Sequence, residues 1–337
     1  MRKIILCSFR RYNQRRYCTS RKTDNTTNLI TYMISTFFHK RFKRAIWFTF
    51  CLILQLQNTS LSSFAKERLI ISAIPDQNPE HLNRLHTVLA RELSKELNVE
   101  VKYIPVINYP AAVSAFRTES IDLVWFGGLT GVQARIQKPG ARVVAQRDID
   151  AKFHSVFIAN QKSNLPLIKD LSDLSLLKGR RFTFGSESST SGRLMPQHFL
   201  QKAGVRITDF KGGRPGFSGS HDATLALVQS GSYEVGALNE EVWKQNIATN
   251  KIDTSKVKVI WRTPPYFDYH WLTQPNIDER FGKGFTNKIR DTLTSFTKES
   301  KSQKIILELF GAEKFIPAYS YQYRDIETIG RQLGKIK

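Results

Sequence analysis

A chain of 337 residues with 41% hydrophobic content has the length for one or two packed domains and too much apolar content for a disordered tail. Its 51 Lys and Arg outnumber its 29 Asp and Glu, a formal net charge of +22 that raises nucleic acid and anionic membrane as partners. Three cysteines, Cys7, Cys18 and Cys51, exclude a disulfide-rich scaffold and a cysteine-only zinc ribbon.

The charge is unevenly placed. Residues 1–65 hold twelve of the Lys and Arg, the single acid Asp24 and all three cysteines. A basic cluster at 40–44 runs into residues 45–56, AIWFTFCLILQL, which fall short of the roughly 20 apolar residues that span a bilayer but suit a secretory apolar core. Ser63 and Ala65 then meet the small-residue rule for cleavage. Residues 1–65 therefore read as a basic leader with a signal peptide at 40–65, cut after Ala65. An uncleaved anchor is the alternative. Met33 would open a leader of ordinary length, which makes 1–32 either sequence upstream of the translated start or an Arg-rich transit segment. Residues 66–337 keep 39 basic and 28 acidic residues, scattered, and no cysteine. That leaves no thiolate metal site, no disulfide and no basic stripe interleaved with aromatics, so nucleic acid is not an expected partner.

Along this part the signals alternate. A β-branched run at 68–74 (RLIISAI) predicts a buried parallel strand, and PDQNP at 75–79 is turn chemistry. Leu82, Leu85, Val88, Leu89, Leu93 and Leu97 keep a helical period. Strands are predicted at 99–105, 121–126, 141–146 and 153–159, with helices at 109–118 and 130–136. The pattern restarts with a strand at 181–185, a helix from Gly192 to Ala203, another at 222–229, a strand at 234–238, a helix at 240–247 and a strand at 257–261. Thr263-Pro264-Pro265 breaks the chain, and Trp271-Leu272 and helices near 283–299 and 301–310 follow. Two α/β lobes are expected: 66–160 as the first part of lobe 1, 161–262 as lobe 2, and 263–337 as the return to lobe 1. The crossings fall near 159–163 and 262–268, and the ligand cleft lies at the strand C-termini.

One motif carries chemistry. Ser188-Ser189-Thr190-Ser191-Gly192 follows a strand and opens a helix, where unpaired backbone N–H groups accept either a capping hydroxyl or an oxyanion. There is no Gly-Lys-Ser/Thr phosphate loop and no G-x-S-x-G elbow.

Stretches 74–82 (IPDQNPEHL), 107–116 (INYPAAVSAF), 121–128 (IDLVWFGG), 188–192 (SSTSG) and 218–231 (SGSHDATLALVQSG) resemble the substrate-binding proteins of phosphonate, phosphite and phosphate ABC importers. WFGGLTGVQAR, RDIDAKFHSVFIA, GALNEEVW and TPPYFDYHW resemble most closely the subfamily labelled selenate-binding. The resemblance implies the bilobed type 2 periplasmic-binding-protein fold. It also implies capture of a small tetrahedral oxyanion in the periplasm for delivery to a membrane permease and its ATPase, by a monomer with no cofactor, no metal and no catalytic residue. It implies that Ser189, Thr190 and Ser191 hold the oxyanion with amides at Gly192, that Tyr109 donates from the first lobe and His221 from the second, and that Asn239 or Glu240, and Asp268, lie nearest the family's acidic positions. The family's Gly-Pro and nearby Tyr after the third strand are replaced here by Gly127-Gly128-Leu129-Thr130, which counts against phosphonate itself and favours a compact tetrahedral anion. Two alternatives share this fold: a membrane-tethered sensory module, and an enzyme for which His221 would be the base.

Overall fold

Strands and helices alternate along residues 67–337, the part of the chain that the computed structural model describes. The leader and signal peptide expected over 1–65 lie outside the described residues. The order is β1 (Arg68–Ala73), α1 (Pro79–Leu97), β2 (Glu100–Tyr103), α2 (Tyr109–Arg117), β3 (Leu123–Phe126), α3 (Gly128–Gln137) and β4 (Arg142–Arg147). There follow β5 (Ser155–Asn160), β6 (Phe182–Phe184), a π-helical turn Thr190–Leu194 running into α4 (Met195–Lys202), β7 (Gly216–Phe217), α5 (His221–Gln229), β8 (Val235–Asn239), α6 (Glu240–Ala248) and β9 (Val257–Arg262). The chain ends with β10 (His270–Thr273), α7 (Ile277–Phe281), α8 (Phe285–Thr294), α9 (Lys301–Phe310), β11 (Phe315–Pro317) and α10 (Arg324–Gln332).

Two sheets result. The first has the order β11-β4-β10-β3-β1-β2 and the second β7-β6-β8-β5-β9. In the first, β1 pairs in parallel with β2 and β3, while β10 runs antiparallel between β3 and β4. β3 is buried at every position, as a strand with both faces covered must be. Gly131 lets α3 lie close on β10, since a Cβ there would come 2.1 Å from His270 Nε2.

Two segments, 148–154 and 263–269, connect the lobes as a hydrogen-bonded pair. Phe153 N donates to Tyr266 O (2.8 Å), Tyr266 N to Phe153 O (3.0 Å) and Asp268 N to Asp150 O (3.2 Å). The first crossing thus precedes β5, which the sequence assigned to the first lobe. β5 pairs with β8 and β9 of the second sheet. All six β5 residues are buried, and an apolar run of that kind fits either sheet equally well.

A buried ion pair stiffens this crossing. Arg147 donates to both Asp150 oxygens (2.7 Å each) and to Phe310 O (2.7 Å). Its guanidinium lies 5.4, 5.6 and 5.0 Å from the ring centroids of Trp125, Phe153 and Tyr269. Trp125 and Trp271 are core residues, packed with each other and with Phe310.

Candidate functional site

The Ser/Thr cluster sits where the sequence placed it, at the start of the 190–202 helix. Ser189 is the N-cap, and its Oγ accepts from Gly192 N at 2.9 Å. The first turn is π-helical, with Leu194 N donating to Ser189 O at 3.0 Å, a widened turn frequent at functional sites. Gly192 permits this turn to lie against its neighbours. A Cβ there would meet Ser189 Oγ at 3.0 Å, His221 Cε1 at 3.2 Å and Gly185 Cα at 3.3 Å.

The three hydroxyls have different neighbours. Thr190 Oγ1 accepts from Leu129 N of the other lobe at 2.9 Å. Ser191 O accepts from Ser155 Oγ at 2.7 Å, and that hydroxyl also meets Tyr266 Oη at 2.6 Å. Ser191 Oγ itself is buried and has no protein partner.

Lobe 1 contributes from the N-terminal end of α2. Asn108 caps this helix by accepting from Ala111 N at 2.8 Å, which fixes Tyr109 at the first turn. Tyr109 is 1% exposed. Its Oη lies near the Ser189 hydroxyl without a well-formed hydrogen bond. Burial, reinforced by the Asp76 and Asp268 charges, pushes its pKa well up, so it stays a phenol and a donor.

Asp268 arrives from the second crossing segment, fully buried. Its Oδ1 accepts from Gly128 N at 2.9 Å, and its Oδ2 has no partner. Burial raises its pKa to about 7, against the lowering effect of the Gly128 amide. A Cβ on Gly127 would stand 3.2 Å from Thr190 Oγ1 and 3.3 Å from Asp268 Oδ1, so glycine at that position lets the two lobes meet. Tyr109, Ser189, Thr190, Ser191, Gly192 and Asp268 are therefore brought to one place.

His221, Asn239 and Glu240 have protein partners in this structure, and His221 also lies against the Gly192 turn. Asn239 N donates to His221 Nδ1 at 3.3 Å, which leaves the Nε2 proton to donate to Tyr269 Oη at 3.2 Å. Burial lowers the His221 pKa to about 3, so the ring is neutral. Asn239 caps α6 through Glu241 N and Val242 N, and its Nδ2 donates to Tyr269 Oη at 3.1 Å. Glu240 binds Arg262 at 2.5 and 2.7 Å and Lys244 at 3.2 Å. These salt bridges engage its carboxylate.

The residue that organises this region is Tyr269, which the sequence reading assigned no role. Its Oη donates to Asp76 Oδ2 at 2.8 Å, joining the β1–α1 turn to α5 and α6. His221 N donates to Asp76 O at 2.9 Å, and Asn78 N to Asp222 Oδ2 at 2.6 Å. Asp76 is buried, and burial raises its pKa to about 6. Position was the available signal: Asp76 lies in the turn that ends β1, and Tyr269 adjoins Asp268.

The arrangement offers neutral donors, a helix N-terminus and one buried carboxylate acceptor. Among the described residues no group of three His, Cys, Asp or Glu is placed to hold a metal ion, and no helix is long and apolar enough to cross a membrane.

Residues 71–323 match the family model described as ABC transporter, phosphonate, periplasmic substrate-binding protein. The chain is 54% identical over 269 residues to a Prochlorococcus marinus protein described as a probable ABC transporter phosphite binding protein, PhnD1, covering 80% of this chain and 91% of that one. A solved structure of PhnD1 from the same organism in complex with methylphosphonate matches with a TM-score of 0.79 at 54% identity, over 80% of this chain and 100% of that one. A binding-protein component of a phosphonate ABC transporter from Pseudomonas aeruginosa, 22% identical, matches with a TM-score of 0.68 over 80% of this chain and 87% of that one, a likeness of fold.

Proposed function

The chain belongs to the periplasmic substrate-binding proteins of phosphonate ABC transporters, and we propose that its ligand is one small tetrahedral oxyanion that still carries a proton. Phosphite, methylphosphonate and phosphate monoanions have that form. The chain closes its lobes around the anion and delivers it to a membrane permease coupled to an ATPase. We read it as a monomeric carrier exported to the periplasm.

The observation that carries this reading is a set of buried polar atoms without protein partners: Tyr109 Oη, Ser191 Oγ and Asp268 Oδ2. Buried polar atoms in folded proteins are almost always paired. Two of these belong to hydroxyls that can donate, and the third is a carboxylate oxygen that accepts. Neutral donors beside a helix N-terminus suit an anion. Above about pH 7, where its carboxyl ionises, the Asp268 oxygen adds a demand, because a fully ionised anion brings acceptors only and would face it unpaired. Phosphate-type anions keep a proton that titrates near neutrality, about pH 6 for a phosphate ester, and that proton can be donated to Asp268. The methylphosphonate bound by PhnD1, at 54% identity, supports this ligand class. His221, the base that an enzyme on this fold would use, has both ring nitrogens engaged, which supports a carrier.

Calorimetric titration with phosphite, methylphosphonate, phosphate, sulfate and selenate tests the reading. The expected outcome is one site per chain for the phosphorus anions, with sulfate and selenate weaker by about 100-fold above pH 7, since an unpaired buried charge costs several kcal/mol. Failure of every phosphorus oxyanion to bind would overturn the reading, and tight selenate binding at pH 8 would remove the protonated-ligand requirement.

A further inference from the structure

Arg193 is the residue after Gly192 and belongs to the same first helical turn. It is 3% exposed, and neither its Nε nor its Nη1 has a partner. Among the described residues no carboxylate lies in salt-bridge range of it. Its guanidinium instead lies 4.2 Å from the ring centroid of Phe184 and 5.0 Å from that of Phe217.

This is an unfavourable place for a cation. A buried charge without a counter-ion is strongly penalised, and the N-terminal end of a helix is already its positive end. Stacking on two rings recovers only part of that penalty. Lys335 adds a second positive charge nearby, and the exposed Glu187 is the carboxylate that opposes both. The local balance is positive and short of one negative charge.

The oxyanion supplies it. Phe184, against which the guanidinium stacks, precedes Gly185, whose N–H donates to Gly192 O at 2.9 Å, so the cation is packed on the strand that adjoins the proposed anion-holding turn. We infer that Arg193 is a specificity-determining charge of the oxyanion site, selecting anions through space while the two phenyl rings hold it off the ligand. This rests on the oxyanion reading above. Hydroxyls and amides recognise a neutral acceptor as readily as an anion, and a fixed cation behind them separates the two.

The test is titration of wild type, Arg193→Gln, Arg193→Lys and Glu187→Gln with phosphite at low and high salt, alongside ligand-free melting. A unit charge acting across about 10 Å of protein changes affinity by roughly tenfold. Arg193→Gln is expected to weaken phosphite about tenfold and flatten the salt dependence, without lowering the ligand-free melting temperature. Arg193→Lys is expected to keep the affinity within about threefold, and Glu187→Gln to strengthen binding two- to fivefold. A purely structural arginine gives the opposite pair, a lower melting temperature with unchanged affinity, and that result overturns the inference. If Arg193→Gln does not fold, Glu187→Gln decides: unchanged or weaker binding there overturns it. Wild-type protein that binds no phosphite sinks the oxyanion reading, whereas wild type and Arg193→Gln binding alike sink this inference alone.

Discussion

The binding role proposed for Asp268 comes at a cost to the ligand-free fold. Burial raises its pKa from 3.8 to about 7, so the folded chain holds a proton there that the unfolded chain releases. Stability from such a group is complete below pH 4 and is lost as pH rises to about 7, by roughly 4 kcal/mol at the top of that window. Melting of ligand-free protein should therefore show a clear loss between pH 5 and pH 8. Asp268→Asn should flatten that slope, leaving the smaller contribution of Asp76, whose pKa rises to about 6. Above about pH 7, where Asp268 is ionised, the same variant should weaken protonated phosphorus anions by about 100-fold and improve sulfate or selenate, because an amide can donate where the carboxylate only accepts. An unchanged anion ranking would show that Asp268 does not read the ligand proton. The Ser/Thr cluster was legible because four hydroxyls and a glycine exceed what a helix cap needs. The hydrogen bonds of His221 and Asn239 to Tyr269 were not legible, because Tyr269 comes from a different segment. Arg193 was passed over because a lone arginine in a helix reads as a solvated charge.

Among the elements, the second crossing segment does the most positioning. The Arg147–Asp150 pair holds Asp150, whose carbonyl accepts from Asp268 N, and the next residue, Tyr269, reaches Asp76, His221 and Asn239 at 2.8, 3.2 and 3.1 Å. Two titratable groups and an amide thus converge on one phenol between the lobes. Tyr269→Phe removes the shared hydroxyl and leaves Asp76 Oδ2 buried without its donor, at about 1–3 kcal/mol per unsatisfied group. The expected result is a ten- to hundredfold loss of phosphite affinity, with scattering showing a more open protein at equal ligand. Unchanged affinity would mean that this network does not hold the lobes together. The strands β1, β3 and β8 were readable as apolar runs bounded by turns. β7 has two residues and β11 three, below any periodicity. The terminal α10 buries Ile326, Ile329 and Gly330, a helical spacing that the sequence reading left unassigned.

At the scale of the molecule, the proposed site predicts that recognition and closure can be separated, and the interlobe contacts say where to cut between them. His221 N to Asp76 O, Asn78 N to Asp222 Oδ2 and Leu129 N to Thr190 Oγ1 all bridge lobe 1 and lobe 2. The last involves a residue of the anion-holding turn. The second lies at the N-terminal turn of α5, where Asp222 also accepts from Asn246 Nδ2 at 3.3 Å and touches none of the partnerless atoms at Tyr109, Ser191 and Asp268. A ligand that binds only the closed form has its apparent dissociation constant divided by the closed fraction. A change that lowers this fraction therefore weakens every ligand by one common factor. Asp222→Ala should do this: about 1.5 kcal/mol for a lost charged hydrogen bond, or roughly tenfold in affinity, equal for phosphite, methylphosphonate and phosphate. Asp268→Asn should instead reorder the anions, because it alters what the closed site accepts. Titrating the three anions against wild type and both variants yields two sets of ratios. If Asp222→Ala changes the ratios between anions, closure and recognition are one event, and a hinge that joins two independent lobes is the wrong description of this protein.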